Sequence, residues 1–421
     1  MFASRLLTAA AAATFGLLAW PAEAAPLLNS VFQDHAVLQR GQPIPLWGTA
    51  APRAKIKVAI AGISAAARAD ASGHWHLSLP ALTSGGPYTL SVRAGDDTQT
   101  LKDILIGDVY LCSGQSNMAF PVMGAIDAGP DIQISANDAI RLMTVANVIK
   151  PTPQRDLPQP VKWEAAAPQT VARFSAACYF FGRDLQKTVH VPVGLIHSSW
   201  AGANLTAFMS AKAMRQTGRE DARLDTLKTY AADPAAAEKK WGKVVEAWWQ
   251  SRLGTAPWKD PSASADWPVA PKDLGIWTQW KVPALENFAG HVWFRTSVTL
   301  TADEAKAAGE ISLGTITEED QTWINGHFVA ATFGYGKKRS YALPSGLLHE
   351  GANDILVNVY CGWKGCGMFG PPEDRAIRLK NGTAVALAGP WHYRQVPASV
   401  GTSPRLPWGD TAGLTMAYNA M

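Results

Sequence analysis

The chain has 421 residues, enough for two or three domains with their own cores, and its 47% hydrophobic and 17% charged residues mark an ordinary globular composition. A net charge of +4, spread without a basic block, gives no electrostatic footprint for nucleic acid. Four Cys without paired His argue against a metal site, and no metal or organic cofactor is expected.

In chain order, Arg5 followed by the apolar run Leu6 to Trp20 and the small-x-small site Ala22-Glu23-Ala24 predicts a signal peptide over 1–24, with a mature start near Ala25. The run is short for a membrane span, and no later segment approaches about 18 unbroken apolar residues. A secreted or periplasmic protein is expected, with no membrane association after cleavage. Disulfides are then permitted, and Cys361-Gly-Trp-Lys-Gly-Cys366 is a candidate for closing a short loop.

Residues 25–102 read as an all-β module, best fitted by a small sandwich. Val37-Leu38-Gln39, Ile44 to Trp47, Lys55 to Ile60, Trp75 to Leu79 and Tyr88 to Val92 are its strands, punctuated by Gly41, Gly48, Gly73 and Gly85-Gly86-Pro87. At Asp103 the pattern changes. Val109 to Ser113 is a buried-strand run ending in Gly114-Gln115-Ser116-Asn117. Phe174, Cys178, Phe181 and Leu185 recur at helical spacing with Ser175 near the start, and Gly194 to Ser198 is a further strand. Strand, helix, strand predicts a parallel βαβ arrangement over 103–253, in which ligands bind at the carboxyl ends of the strands. Ser116 and the Trp200-Ala201-Gly202 turn both fall at such ends.

Met209 to Arg252 reads as helical, with Asp233-Pro234 as a start signal and Trp241, Val244, Val245, Trp248 and Trp249 as a packing stripe. Residues 254–276, rich in Pro, Ser and Ala to Asp273, read as a linker. From 277 to 395 the pattern returns to β, with Asn325-Gly326 and Asn381-Gly382 as hairpin turns, and predicts a second sandwich of jelly-roll type. The seventeen Trp have two readings, packing in cores and stacking against the C–H faces of sugars.

A Ser at the tip of a strand-to-helix turn exposes its Oγ and sets backbone N–H groups where an oxyanion would form. Taken alone, Gly-Gln-Ser-Asn is also a common small polar turn. The wider block Gly107-Asp108-Val109-Tyr110-Leu111-Cys112-Ser113-Gly114-Gln115-Ser116-Asn117-Met118 closely resembles the nucleophile block of sialate O-acetylesterases, within the SGNH (GDSL-like) hydrolases. Pro192 to Gly202 resembles that family's following block, which usually ends Trp-Gly-Gly-Thr; this chain departs at Ala201 and at Ala203-Asn204. The likeness extends to Val37-Leu38-Gln39-Arg40 and Trp47-Gly48-Thr49-Ala50, and to the run from Asp320 through Gly326 to Tyr341, Pro344, Leu347, Gly351 and Asn353. It implies an N-terminal β-sandwich, a partial SGNH-type parallel α/β catalytic domain and an inserted galactose-binding-like jelly roll. It also implies Ser116 as nucleophile and the N–H groups of Ser116 and Gly202 as oxyanion donors. Gln115, Asn117 and Trp200 would contact an O-acetylated sugar such as an acetylated sialic acid.

The family's later blocks, a Gly-Glu-Ser-Asn carrying an oxyanion Asn and an Asp-x-x-His carrying the general base, do not occur in the sequence. Residues 396–421 are expected to begin the second part of the catalytic domain and to stop short of these blocks, so that a complementing C-terminal fragment or a longer gene product is expected to supply them. His197, in the strand before Gly202, is the nearest His by position, but a strand His is more often a hydrogen-bonded core residue. A Ser hydroxyl without a base is a poor nucleophile. The leading expectation is a carbohydrate O-acetylesterase, catalytically incomplete as this chain stands. The alternatives are a non-catalytic carbohydrate-binding protein and a remnant that does not fold stably.

Overall fold

A computed structural model of the protein describes residues 26–408 apart from 158, 219 and 335. The expected signal peptide and the segment Leu414 to Met421 lie outside the described residues. The architecture is a mixture of α/β and several β-sheets, in two compact units divided after Asp108.

In the first unit, β1 (Val37–Gln39), β2 (Ile44–Thr49), β3 (Lys55–Ile60), β4 (Ile63–Arg68), β5 (His74–Leu79), β6 (Gly85–Ala94) and the first part of β7 (Asp97–Gly114) follow one another through short turns. The antiparallel order is β4, β3, β6, β7, with β1 added in parallel on β7; β2 and β5 form a separate pair. Alternation drives this unit. Ile56, Val58 and Ile60 are buried while Lys55 and Lys57 face solvent, as a half-buried strand requires. Asp108, inside the block that resembles a nucleophile motif, is held by Arg40 through two hydrogen bonds of 2.8 and 2.9 Å. The Arg40 guanidinium keeps its carboxyl below the usual carboxylate range. Two motifs 68 residues apart therefore meet as one bidentate pair.

The second unit opens with the end of β7, the single-turn helix α1 (Ser116–Ala119) and α2 (Ala128–Gln133). Then come β8 (Asn137–Thr144), β9 (Trp163–Ala166), the short α3 (Pro168–Val171), α4 (Ala176–Val189) and β10 (Val193–Ser199). The sheet order is β7, β10, β8, β9, and β10 runs parallel to β8 in the register Val193 opposite Ile140. Helix α4 is the crossover, capped by Ser175, whose Oγ accepts from the Cys178 N–H at 3.2 Å. Its packed face is Ala176, Cys178, Tyr179 and Gly182; Phe181, expected on the apolar stripe, is exposed, its ring set edge-on against Tyr110. Gly182 is needed where α4 crosses β10, because a Cβ there would stand 2.6 Å from the buried Leu195 side chain.

Helices α5 (Ala211–Gln216), α6 (Asp221–Ala232) and α7 (Pro234–Leu253) follow, α7 starting where the Asp233 carboxylate accepts from the Ala236 N–H. Trp241, Val245 and Trp249, at i, i+4 and i+8, are buried, whereas Val244 of the expected stripe faces outwards. The Pro/Ser/Ala-rich segment after α7 passes through two 3₁₀ turns and buries Trp258 and Trp267. The rest of the unit is two antiparallel sheets sharing one apolar core. One is centred on β12 (Gly290–Leu300), β14 (Glu319–Ile324) and β17 (Gly351–Cys361), the other on β13 (Ala308–Ile316) and β19 (Arg375–Leu379). Asn325 and Gly326, both at positive φ, make the tight turn from β14 into the next strand. Among the described residues no helix is long and apolar enough to cross a membrane.

Candidate active site

Strand β7 ends at Gly114, whose φ of +153° suits glycine, and a Cβ there would press on Met118 at 3.1 Å. The chain can therefore turn sharply. The Gln115 carbonyl accepts from the N–H groups of Met118 (3.0 Å) and Ala119 (2.9 Å), closing the single turn of α1. The first N–H groups of a helix have no intrahelical partner. Those of Ser116 and Asn117 accordingly meet no backbone acceptor among the described residues. Gln115, Ser116 and Asn117 are all exposed.

The second turn is tied to the first. The Trp200 N–H donates to the Gly114 carbonyl at 3.0 Å, and the Ala203 N–H closes back on the Trp200 carbonyl at 3.1 Å. Gly202 sits at the tip with φ +76°, exposed and with open space where a side chain would be. Its N–H also lacks a backbone acceptor among the described residues. The strand ends bearing Ser116 and Gly202 are thus neighbours, each presenting backbone donors to solvent.

Three contacts brace the Ser116 turn from behind. Cys112, four residues before Ser116, is disulfide-bonded to Cys178 in α4, with Cα atoms 5.8 Å apart. The Ala176 N–H at the start of α4 donates to the Phe120 carbonyl at 2.8 Å. The Ser175 hydroxyl reaches Met118 Sδ at 3.4 Å. Sequence reasoning found the turn and missed this brace. The available signal was the even number of Cys in a chain read as exported.

No hydrogen bond to the Ser116 hydroxyl occurs among the described residues. His197 places Nε2 2.6 Å from Ser199 Oγ and lies edge-on to Phe174, so its imidazole serves the strand. Burial holds it below the ordinary histidine range, opposed in part by the Met118 backbone. His291 is buried between Asn358 and the Ser403 N–H, His392 bonds the Trp267 carbonyl, and His35 pairs with Asp103. His190 caps the end of α4. Among the described residues, the chemistry on display is an exposed hydroxyl beside open backbone donors, with no imidazole bonded to it.

No family model matches the chain. Over 158 residues it is 30% identical to the sialate O-acetylesterase of Homo sapiens, a stretch covering 35% of this chain and 30% of that protein. It is 27% identical over 207 residues to the mouse sialate O-acetylesterase, covering 45% of this chain and 38% of that one. Over these stretches the chain is similar to the sialate O-acetylesterases. The matched stretches span roughly a third of the length of these sialate O-acetylesterases. Among solved structures, a carbohydrate acetylesterase from Xanthomonas citri superposes with a TM-score of 0.43 at 37% identity, covering 45% of this chain and 44% of that one.

Proposed function

We propose that this chain carries the nucleophile turn of a carbohydrate O-acetylesterase, with Ser116 as nucleophile. The observation that carries the proposal is the pairing of an exposed Ser at a strand-to-helix turn with a second glycine turn, joined by the Trp200–Gly114 hydrogen bond. The SGNH-type reading of the α/β portion, and the jelly-roll reading of 277–395, rest on the family resemblance of the sequence and on the sheet orders described above.

In this reading Ser116 Oγ attacks the acetyl carbonyl carbon of an O-acetyl sugar. The new oxyanion is held by the N–H groups of Ser116 and Gly202, with Gln115, Asn117 and Trp200 flanking the sugar. The C–O bond to the sugar breaks, the sugar oxygen takes up a proton, and an acetyl-serine remains for water to hydrolyse to acetate. The Ser116 proton requires a base. No described His is bonded to the Ser116 hydroxyl, and His197 is bonded to Ser199 instead. Export to a secreted or periplasmic compartment is part of the same proposal, and the two disulfides support it.

The test is acetate release from O-acetylated sialic acid and acetylated xylan fragments by the protein. Ser116→Ala should lower the rate by about a thousandfold or more, as loss of a triad member does. Equal rates with and without the Ser116 hydroxyl would overturn the nucleophile assignment. A second reading, a carbohydrate-binding protein without catalysis, is favoured by the His197 imidazole being bonded to Ser199 and not to Ser116. Glycan binding by the protein without acetate release would establish it.

A further inference from the structure

The sequence holds two Asn-Gly pairs, Asn325-Gly326 and Asn381-Gly382, and each sits in a turn between antiparallel strands. The fold treats their side chains in opposite ways. Asn325 is tied on every side: its Nδ2 donates to the Leu347 carbonyl at 2.9 Å and to Asn353 Oδ1 at 2.8 Å, and its Oδ1 accepts from the Asp354 N–H at 2.9 Å. Its turn is covered too, since a Cβ at Gly326 would stand 3.2 Å from the Trp258 carbonyl oxygen. Asn381, Gly382 and Thr383 are exposed, and a Cβ at Gly382 would meet open space. The Asn381 Nδ2 meets no acceptor among the described residues. Its Oδ1 accepts twice from Thr383, from the N–H at 3.0 Å and from the hydroxyl at 2.8 Å. The turn is closed by the Gly382 N–H on the Leu379 carbonyl at 3.0 Å, and it leads from β19 into the three-residue edge strand β20 (Ala384–Ala386).

We infer that Asn381-Gly382 is a self-modification site, where the side-chain amide converts to aspartate and isoaspartate through a cyclic imide, while Asn325-Gly326 is protected. The Gly382 nitrogen attacks Asn381 Cγ and forms a new N–Cγ bond. The bond from Cγ to Nδ2 breaks, and Nδ2 leaves as ammonia with the proton given up by the Gly382 nitrogen. Water then opens the imide, at Cγ to give aspartate or at the main-chain carbonyl to give isoaspartate. Negative charge develops on Oδ1 during the attack, where the two Thr383 donors already point, as in an oxyanion hole. Glycine leaves the attacking nitrogen unshielded and its backbone free to swing. The Gly382 N–H must first leave the Leu379 carbonyl, and an exposed turn beside a short edge strand opens at small cost. Asn325 would have to give up all of its side-chain bonds, one of them to the amide of Asp354 in β17. The site does not use Ser116, so it stands whether or not the esterase proposal does.

The purified protein is held at mildly alkaline pH and sampled over days by peptide mass spectrometry, with an isoaspartate-specific methyltransferase marking the product. In the folded protein the Asn381 peptide should convert faster than the Asn325 peptide by about tenfold or more. In urea the two should convert at similar rates, because both are Asn-Gly. Thr383→Ala, which removes the hydroxyl donor from an exposed turn, should slow Asn381 in the folded protein by about threefold or more. Equal rates at the two positions in the folded protein overturn the inference, and so does an Asn381 amide that persists unchanged. A difference that survives in urea overturns it as well, because its cause would then lie in the flanking residues and not in the fold. Unslowed conversion in Thr383→Ala overturns the role given to the Thr383 hydroxyl.

Discussion

Cys112 in β7 is bonded to Cys178 in α4, so the strand that delivers Ser116 and the helix that crosses behind it are one covalent unit. The bond spans 66 residues, whereas the Cys361–Cys366 bond spans 5. Constraint of the unfolded chain grows with the loop closed, giving about 4 kcal/mol for the first and about 2 kcal/mol for the second. The double substitution Cys112→Ala/Cys178→Ala should therefore lower the denaturation midpoint about twice as far as Cys361→Ala/Cys366→Ala. Equal losses in chemical denaturation would contradict the entropic account.

Gly114 is where local conformation and the site meet. Gly114→Ala forces a Cβ onto Met118 at a backbone angle that L residues rarely adopt, at a cost of about 1–3 kcal/mol. The turn should relieve this by shifting the Gly114 carbonyl away from the Trp200 N–H. Amide exchange at Trp200 should then accelerate at least tenfold in the variant while amides in β8 keep their rates. Unchanged exchange at Trp200 would show that the two turns are not coupled.

The most buried charges lie in the two-sheet portion. Arg339 and Asp320 are both wholly buried, with Nε 2.6 Å from the carboxylate. Arg339 also donates to the carbonyls of Glu318, Gly334 and Lys337, while Tyr341 and Thr322 hydroxyls donate to Asp320. Removing one partner strands the other, and Arg339→Leu should cost about 3–5 kcal/mol. Asp320→Asn combined with Arg339→Leu should recover part of that loss in denaturant titrations. A double variant less stable than the sum of the two single changes would refute the pairing.

Glu319 and His291 set the pH response. Burial pushes the Glu319 carboxyl up from 4.5 to about 8, opposed by the Arg405 charge. Its folded form holds the proton more tightly than its unfolded form, so its stabilisation is complete below 4.5 and disappears as pH rises through 8. Burial brings the His291 imidazole down from 6.5 to about 4, opposed by the hydrogen bond with Asn358. Its contribution is complete above 6.5 and disappears as pH falls through 4. Between 4.5 and 6.5 the two slopes offset, and from 6.5 to 8 only the Glu319 slope of this pair remains, so stability should decline there. Glu319→Gln, which mimics the protonated acid, should flatten that decline in thermal melts at pH 6, 7 and 8. A decline of equal size in the variant would remove Glu319 as its cause.

Much of this protein is written locally. Asn325-Gly326 specified its turn because two successive positive φ angles suit those residues, and Asp233-Pro234 opened α7 through a cap and a preset φ. The alternation of Lys55 to Ile60 placed a strand and its faces. The Gly-Gln-Ser-Asn turn at the end of β7 is legible for the same reason, since it depends on a few adjacent dihedrals. Other features were not legible. Ile63–Arg68 has little strand propensity and is a strand through its pairing with β3. Glu319, Asp320 and Gln321 are polar and yet wholly buried in β14, where Arg339 and Tyr341 reach Asp320, Trp249 reaches Gln321 and the Leu406 N–H reaches Glu319 from distant positions. The brace of Cys112 on Cys178 and the seam of Trp200 on Gly114 join residues 66 and 86 positions apart. Local sequence determined the turns, the caps and the exposed hydroxyl. The tertiary structure decided which turns meet and which charges are buried, because those depend on groups brought together only when loop-closure entropy is repaid by packing.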